Sequence, residues 1–114
     1  MEAASTLRPA TMPQHMRALE QANRIRLARA SLKRAVATGQ VDAAEVVRDC
    51  PTEVESMSVG ELLRSQRRWG RTRARKFLLS LALNENRELG RLTERQRRML
   101  AAELEAKRRP GVAH

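Results

Sequence analysis

Aromatic residues are nearly absent from this sequence: its 114 residues include one tryptophan, one phenylalanine and no tyrosine. Cysteine is equally scarce, since Cys50 is the single one and cannot form an internal disulfide, which fits a reducing compartment. No apolar run approaches the roughly 20 residues that a membrane helix needs, and the first residues lack the layout of a signal peptide. We therefore expect a cytoplasmic protein that has no membrane partner.

Motifs that carry catalysis or hold a cofactor are also missing. The sequence has no nucleophile with a recognisable base and no glycine-rich phosphate loop. Neither His15 nor His114 has a cysteine or a carboxylate at metal-ligand spacing. These absences predict a protein that is not an enzyme and that needs no metal ion and no cofactor.

Positive charge is what the sequence has in excess. It contains 23 basic and 13 acidic residues, which gives a net charge of +10 and a pI near 11.5. Only Lys33, Lys76 and Lys107 are lysines, so arginine dominates, and its planar fork suits contacts with phosphate. A polyanion is the expected partner, and nucleic acid is the first candidate.

Helix-forming residues dominate, and alternating strand patterns are absent, so we predict an all-α fold. The length suits one compact five-helix bundle over residues 12–109, with flexible tails at 1–11 and 110–114. The capping and breaking residues that bound the helices are Thr11, Pro13, Gln14 and Gly39 for a long basic first helix, Asp42, Glu45 and Pro51 for the second, Ser58 and Glu61 for the third, Gly70 for the fourth, and Thr93, Gln96 and Pro110 for the fifth.

Apolar residues at helical spacing predict which helix faces are buried. The expected core positions are Val59, Leu62 and Leu63 on the third helix, Ala74, Phe77, Leu78 and Leu81 on the fourth, Met99, Leu100 and Leu104 on the fifth, and also Met16 and Met57. Acidic residues are concentrated between Asp42 and Glu61, so we expect that stretch to face away from a polyanion.

The densest cluster of charge lies between Arg64 and Lys76, where seven basic residues occur without an acidic one. Gly70 in its middle suits a tight turn, and a helix that starts just after it presents free backbone amides and a partial positive charge to an anion. A solvated basic face is the alternative interpretation. We expect Trp69 to pack against Phe77, with insertion at a nucleic-acid base as the other possibility.

Three stretches at fixed spacing resemble one protein family: Val54-x-x-Met57-x-Val59-x-x-Leu62-Leu63, Trp69-Gly70-Arg71-x-Arg73-Ala74-Arg75, and Leu92-x-x-x-Gln96-x-x-x-Leu100. The pattern is similar to actinobacterial integration host factor, over most of the chain from about Ala18 to about Leu104. The resemblance implies a five-helix fold with a helix-two-turns-helix element. It also implies binding to the backbone of duplex DNA with little sequence preference, and bending or compaction of the duplex.

By the same resemblance, residues 66–71 form the turn that holds a phosphate, and the first helix adds basic residues nearby. The expected DNA-binding residues are Arg67, Arg68, Trp69, Gly70, Arg71, Thr72, Arg73, Arg75, Lys76, Arg29, Lys33 and Arg91. The sequence departs from the family at the Pro-Gly-x-Gly turn, which reads Arg67-Arg68-Trp69-Gly70 here. It departs again at a Gly-Leu-Gly stretch, which reads Arg91-Leu92-Thr93 and offers a cation instead.

Two other functions stay open at this point. A basic five-helix bundle of this kind could bind structured RNA, since ribosomal proteins use the same helix-two-turns-helix element. Alternatively, the acidic stretch could dock a basic protein while the arginines keep the chain soluble. The expected partners are double-stranded DNA and, as the family name implies, a recombinase or other nucleoid proteins, with the protein a monomer in the cytoplasmic nucleoid.

Overall fold

Five α-helices build the part of the chain that the computed structural model describes, residues 13–108, with residue 108 described in its backbone alone. They are α1 (Gln14–Ala37), α2 (Ala43–Asp49), α3 (Val59–Arg64), α4 (Arg71–Ser80) and α5 (Glu94–Arg108), and two short 3-10 helices lie at Thr52–Val54 and Leu89–Arg91. Residues 13–108 contain no β-strand, only an isolated bridge between Ser58 and Glu88. The predicted all-α class is confirmed. The predicted tails, and Thr11 of the first predicted cap, lie outside the described residues.

Hydrogen bonds at the helix ends explain where the helices begin and end. Ser58 Oγ accepts from the Glu61 N–H at 3.1 Å and so caps α3. At the start of α5, the Gln96 N–H donates to Thr93 Oγ1 at 3.1 Å, and the Thr93 N–H donates to Gln96 Oε1 at 3.0 Å. α1 ends before Gly39, whose φ of 84° lies in the left-handed region. The predicted starts of α3 and α5 and the predicted end of α1 are confirmed.

The core lies where α2 packs against α5 and α3 packs against α4, with α1 beside the first 3-10 helix. Its buried residues are Val36, Ala43, Ala44, Val46, Val47, Val54, Met57, Val59, Leu62, Leu63, Ala74, Phe77, Leu78, Leu83, Leu89, Leu92, Leu100, Ala101 and Leu104. The predicted apolar stripes of α3 and α4 are therefore confirmed, apart from Leu81, which is only partly buried.

Two methionines that were predicted in the core lie outside it. Met16 is 45% exposed and Met99 is 36% exposed, whereas Met57 is buried as predicted. Met16 lies on the first turn of α1, where every side chain is exposed. Met99 directly precedes the buried Leu100, so it points about 100° away from the face of α5 that packs on the core.

The first half of α1 extends beyond the bundle. All side chains from residue 13 to residue 24 are exposed, and Val36 is the only buried residue of this helix. A helix of 24 residues is about 36 Å long, and within residues 13–108 no other element buries its outer turns, which are held by their own backbone hydrogen bonds. Arg17 and Arg24 lie on this outer part and Arg26 follows it.

Arg97 ties three elements of the bundle together. Its guanidinium donates to the carbonyl of Val47 in α2 at 2.8 Å, to that of Leu89 in the second 3-10 helix at 3.1 Å, and to that of Leu92 at 3.4 Å. These acceptors belong to α2 and to the segment before α5, which is the helix that carries Arg97. This arginine therefore acts in the fold, because both terminal nitrogens of its guanidinium donate to backbone carbonyls.

The loop between α4 and α5 is fixed to the start of α3. The Gly60 N–H donates to the Glu85 carbonyl at 2.9 Å, and the Val59 N–H donates to the Arg87 carbonyl at 2.8 Å. A Cβ at Gly60 would lie 2.9 Å from the Glu85 oxygen, so only glycine allows this close approach. The two hydrogen bonds hold the Glu85 backbone beside α3, which is the helix that leads into the arginine-rich segment.

Candidate nucleic-acid interface

The basic turn, residues 65–70, joins the end of α3 to the start of α4. The Gln66 N–H and its side-chain amide both donate to the Leu63 carbonyl, each at 3.1 Å, which satisfies a free carbonyl at the end of α3. The Trp69 N–H then donates to the Gln66 carbonyl at 3.1 Å. Because these bonds use backbone and amide groups, the arginine side chains of the turn remain available for other contacts.

The left-handed position in the basic turn belongs to Arg68, with a φ of 71°, and not to Gly70. Gly70 has a φ of −89° and a ψ of −178°, an extended backbone that any residue adopts, and nothing lies within 4 Å of where its Cβ would be. The prediction that Gly70 takes the tight-turn conformation is therefore wrong, whereas α4 starts just after Gly70 as predicted, with Gly70 as its N-cap. Arg68 stands at the first glycine of the Pro-Gly-x-Gly pattern and holds a conformation that glycine adopts without strain.

Replacing Arg68 with glycine is expected to raise the free energy of unfolding by about 0.5 kcal/mol, because relief of the left-handed strain exceeds the extra freedom of the unfolded chain. Denaturant unfolding of the full chain measures this gain. Arg67→Gly is the matched control, since Arg67 has no positive φ, and it should lower the stability. A loss of stability in both variants would contradict the strain at Arg68.

The start of α4 presents backbone amides without a partner. Ala74 is the first residue of the helix whose N–H is bonded, to the Gly70 carbonyl at 3.1 Å, and Gly70 has no side chain that could cap the turn. The amides of Arg71, Thr72 and Arg73 donate no hydrogen bond within residues 13–108. These three donors and the partial positive charge of the helix end suit an anion such as phosphate.

Trp69 packs within the protein, as expected. Its ring meets that of Phe77 edge to face, with centroids 5.2 Å apart and an angle of 89° between the planes. The Arg73 guanidinium lies 4.1 Å from the centre of the Trp69 ring, a cation–π contact. The stack links the basic turn to α4 and fixes the position of Arg73 beside the free amides.

Four further cations near the helix start are exposed and form no ion pair within residues 13–108. They are Arg67, Arg68, Arg71 and Lys76. Together with Arg73 they place five positive charges in the basic turn and on the first two turns of α4. A surface with this charge and these donors suits an anion.

Glu85 partly neutralises the neighbouring cations. Its carboxylate lies 3.1 Å from Arg75 Nε and 3.7 Å from an Arg64 nitrogen, so one acid from the loop is shared by one arginine of α4 and one of α3. Arg75, a predicted site residue, is thus held in an ion pair rather than free. Its side chain is still 55% exposed, which leaves a face open to an external anion.

Glu61 of α3 also partly neutralises two cations, in this case on α1. Arg29 and Lys33 of α1, both predicted site residues, lie 3.0 Å and 2.8 Å from its two carboxylate oxygens. Burial of this carboxylate raises its pKa, but the hydrogen bonds and charges of Lys33 and Arg29 outweigh that effect and hold the pKa below its usual value. The predicted separation of acidic from basic surface therefore fails at Glu61, because α3 packs this acid against α1.

The groove between α1 and the end of α3 adds two residues that were not among the expected contacts. Arg34 and Arg64 line a cavity of about 650 Å³ together with Lys33 and Ser65. Ser65 is the first residue of the basic turn, so the groove brings the basic part of α1 next to that turn. The order of the charged residues along the sequence does not predict this contact, because it depends on how α1 packs against α3.

Arg91 lies apart from this group in the described contacts. It is in the second 3-10 helix, its side chain is 78% exposed, and its nearest ion pair is Glu88 at 3.3 Å. Within residues 13–108, no hydrogen bond or ion pair joins it to the basic turn or to α1. The nine predicted residues from Arg67 to Lys76 lie in the basic turn and on α4, and Arg29 and Lys33 contact Glu61 of α3.

Within 13–108, no group of three or more His, Cys, Asp or Glu side chains is placed to hold a metal ion. None of the helices there combines the length and the apolar character needed to cross a bilayer.

A solved structure of the protein sIHF bound to an 8-base-pair palindromic DNA is similar to this chain, with a TM-score of 0.68 and 26% sequence identity. The likeness covers 75% of this chain and 98% of the sIHF chain. The arrangement of the helices is therefore that of an integration-host-factor-type fold, in agreement with the resemblance of the sequence. Comparisons with protein-family models and with curated proteins find no match.

Proposed function

We propose that this protein binds duplex DNA through the phosphate backbone, with little sequence preference, and bends or compacts the duplex. The observation that carries the proposal is the group of five cations without an ion pair in the basic turn and on α4, the helix whose first amides are free. Phosphate contacts fix a protein on the duplex without reading bases, and the weak sequence preference follows from the resemblance to actinobacterial integration host factor. The similarity to a DNA-bound protein supports the same partner.

The finer parts of the proposal follow from the resemblance to actinobacterial integration host factor. The protein would act as a monomer in the nucleoid, with residues 12–109 as one domain, and would assist site-specific recombination. The twelve residues expected from the sequence are the proposed contacts, with Arg34 and Arg64 added from the groove beside α1. On binding DNA, four cations would exchange a carboxylate partner for a phosphate: Arg29, Lys33, Arg75 and Arg91. The cations that have no ion pair would gain a phosphate as a new partner.

Salt is expected to weaken DNA binding steeply. If five phosphates are neutralised, log affinity should fall against log salt with a slope of about −4.5, by the rule of roughly 0.9 per phosphate. A mobility-shift titration of the full chain with random duplex at several salt concentrations measures the slope. A flat response would contradict phosphate binding.

Two further arms of that titration separate the proposed partner from its rivals. Structured RNA at the same salt should compete less well than duplex DNA, and tighter binding to RNA would replace DNA as the partner. Ligation of short linear duplexes into circles should be faster with the protein if it bends DNA. Binding without faster circularisation would support DNA binding and contradict DNA bending.

A further inference from the structure

A cavity of about 650 Å³ lies between α4 and α5, beside the basic turn. Trp69 and Phe77 line it, and these are the only two aromatic residues in the whole sequence. Arg73, stacked on Trp69, is a third planar group in its wall. Phe77 is only 8% exposed, so Trp69 and the Arg73 guanidinium give most of the flat surface, and surfaces of this kind stack on nucleic-acid bases.

Charged groups complete the lining. Lys76 of α4 and Lys107 of α5 lie at the cavity and form no ion pair within residues 13–108, and Glu103 of α5 is the one acid among the lining residues. With Arg73 this makes three positive charges against one negative. The cavity therefore favours a ligand that has a flat ring and also carries negative charge, and Glu103 offers an acceptor for an N–H group on that ring.

We propose that this cavity binds an unpaired nucleotide, with its base against the aromatic wall and its phosphate near Lys76 and Lys107. The volume lies in the range that small ligands occupy, roughly 300–1,000 Å³. Such a nucleotide has two sources, a free mononucleotide or the unpaired end of a DNA strand. Because Lys107 and Glu103 are not among the proposed duplex contacts, the cavity can be tested apart from the proposed function.

Trp69 supplies the readout, since it is the single tryptophan and lines the cavity. Full-length protein is titrated with adenosine monophosphate, adenosine, ribose phosphate and inorganic phosphate while the tryptophan fluorescence is followed. The nucleotide should give a saturable change at a concentration about tenfold lower than adenosine or either phosphate compound, because only it engages both the wall and the lysines. An equal response to inorganic phosphate would reduce the site to an adventitious anion only, and no saturable response would overturn the proposal.

Two substitutions on α5 sharpen the test. Lys107→Ala should weaken nucleotide binding about tenfold, the effect of one charge-assisted hydrogen bond, and leave binding to blunt duplex unchanged. Arg98→Ala, which removes another exposed cation of the same helix, should change neither. Unchanged nucleotide binding in Lys107→Ala would overturn the proposal for the cavity. If the unmodified protein does not bind duplex DNA, only the proposed function is overturned.

A pair of duplexes distinguishes the two sources of the nucleotide. One duplex is blunt and the other carries an unpaired nucleotide at one strand end. A preference for the second that disappears in Lys107→Ala identifies a strand end as the ligand. Equal affinity for the two duplexes, with mononucleotide binding intact, identifies the free nucleotide.

Discussion

Replacing Arg71 and Arg73 together with alanine is expected to weaken binding to duplexes of every sequence by about 100-fold. Each side chain would lose a charge-assisted contact worth about 1.5 kcal/mol, and two such losses correspond to this factor. The salt slope should also become shallower by about 1.8, because two fewer phosphates are neutralised. Mobility shifts with several unrelated duplexes at two or more salt concentrations measure both effects.

The matched control for that experiment is Arg95→Ala with Arg98→Ala. Both arginines are exposed on α5, so the change in net charge is the same, but neither lies at the start of α4. Arg97 is unsuitable for this purpose because its guanidinium is bound to backbone carbonyls. Thermal unfolding verifies that each variant is folded, which matters for Arg73 because it stacks on Trp69. Equal losses in the two pairs would mean that the charge of the whole molecule, rather than this surface, accounts for binding.

Replacing Arg97 with methionine is expected to lower the free energy of unfolding by about 3 kcal/mol, the value of hydrogen bonds from a charged donor that are lost together. The substitution keeps much of the side-chain stem and leaves the carbonyls of Val47, Leu89 and Leu92 without this donor. In a domain of this size the loss corresponds to a fall in melting temperature of about 15 °C. Circular dichroism during heating measures it.

Arg98→Met is the control for the Arg97 variant. Arg98 is the next residue of α5 and is exposed, so its loss should change the free energy of unfolding by less than about 0.5 kcal/mol. At a temperature where both variants are folded, Arg97→Met should bind duplex DNA nearly as well as the unmodified protein. Equal melting temperatures for the two variants would show that the carbonyl contacts contribute little to stability.

The helix boundaries and the face of α4 could be predicted because their signals are local. Ser58 and Thr93 cap helices through hydrogen bonds to residues three positions later. The left-handed backbone of Gly39 ends α1. The stripe that includes Ala74 and Phe77 follows from the period of a single helix. Each of these features is decided within a few positions of the chain, where sequence patterns carry information.

Features that depend on packing between distant segments could not be predicted. The ion pairs of Glu61 join positions 28 and 32 residues apart, and the contact from Arg97 to Val47 spans 50 residues. Met16 matched an apolar pattern but lies where no other element within residues 13–108 buries α1. The left-handed backbone of Arg68 was missed for a different reason, since arginine gives no sign of a conformation that usually marks glycine.

The two shared carboxylates affect the entropy of binding as well as the charge. A free arginine or lysine side chain gives up as much as about 2 kcal/mol of rotamer freedom when it is fixed by a ligand. Glu61 and Glu85 already restrict Arg29, Lys33, Arg64 and Arg75 in the unbound protein. A phosphate that takes the place of either carboxylate would meet side chains that are largely ordered, so these cations would give less attraction than unpaired ones but lose less freedom on binding.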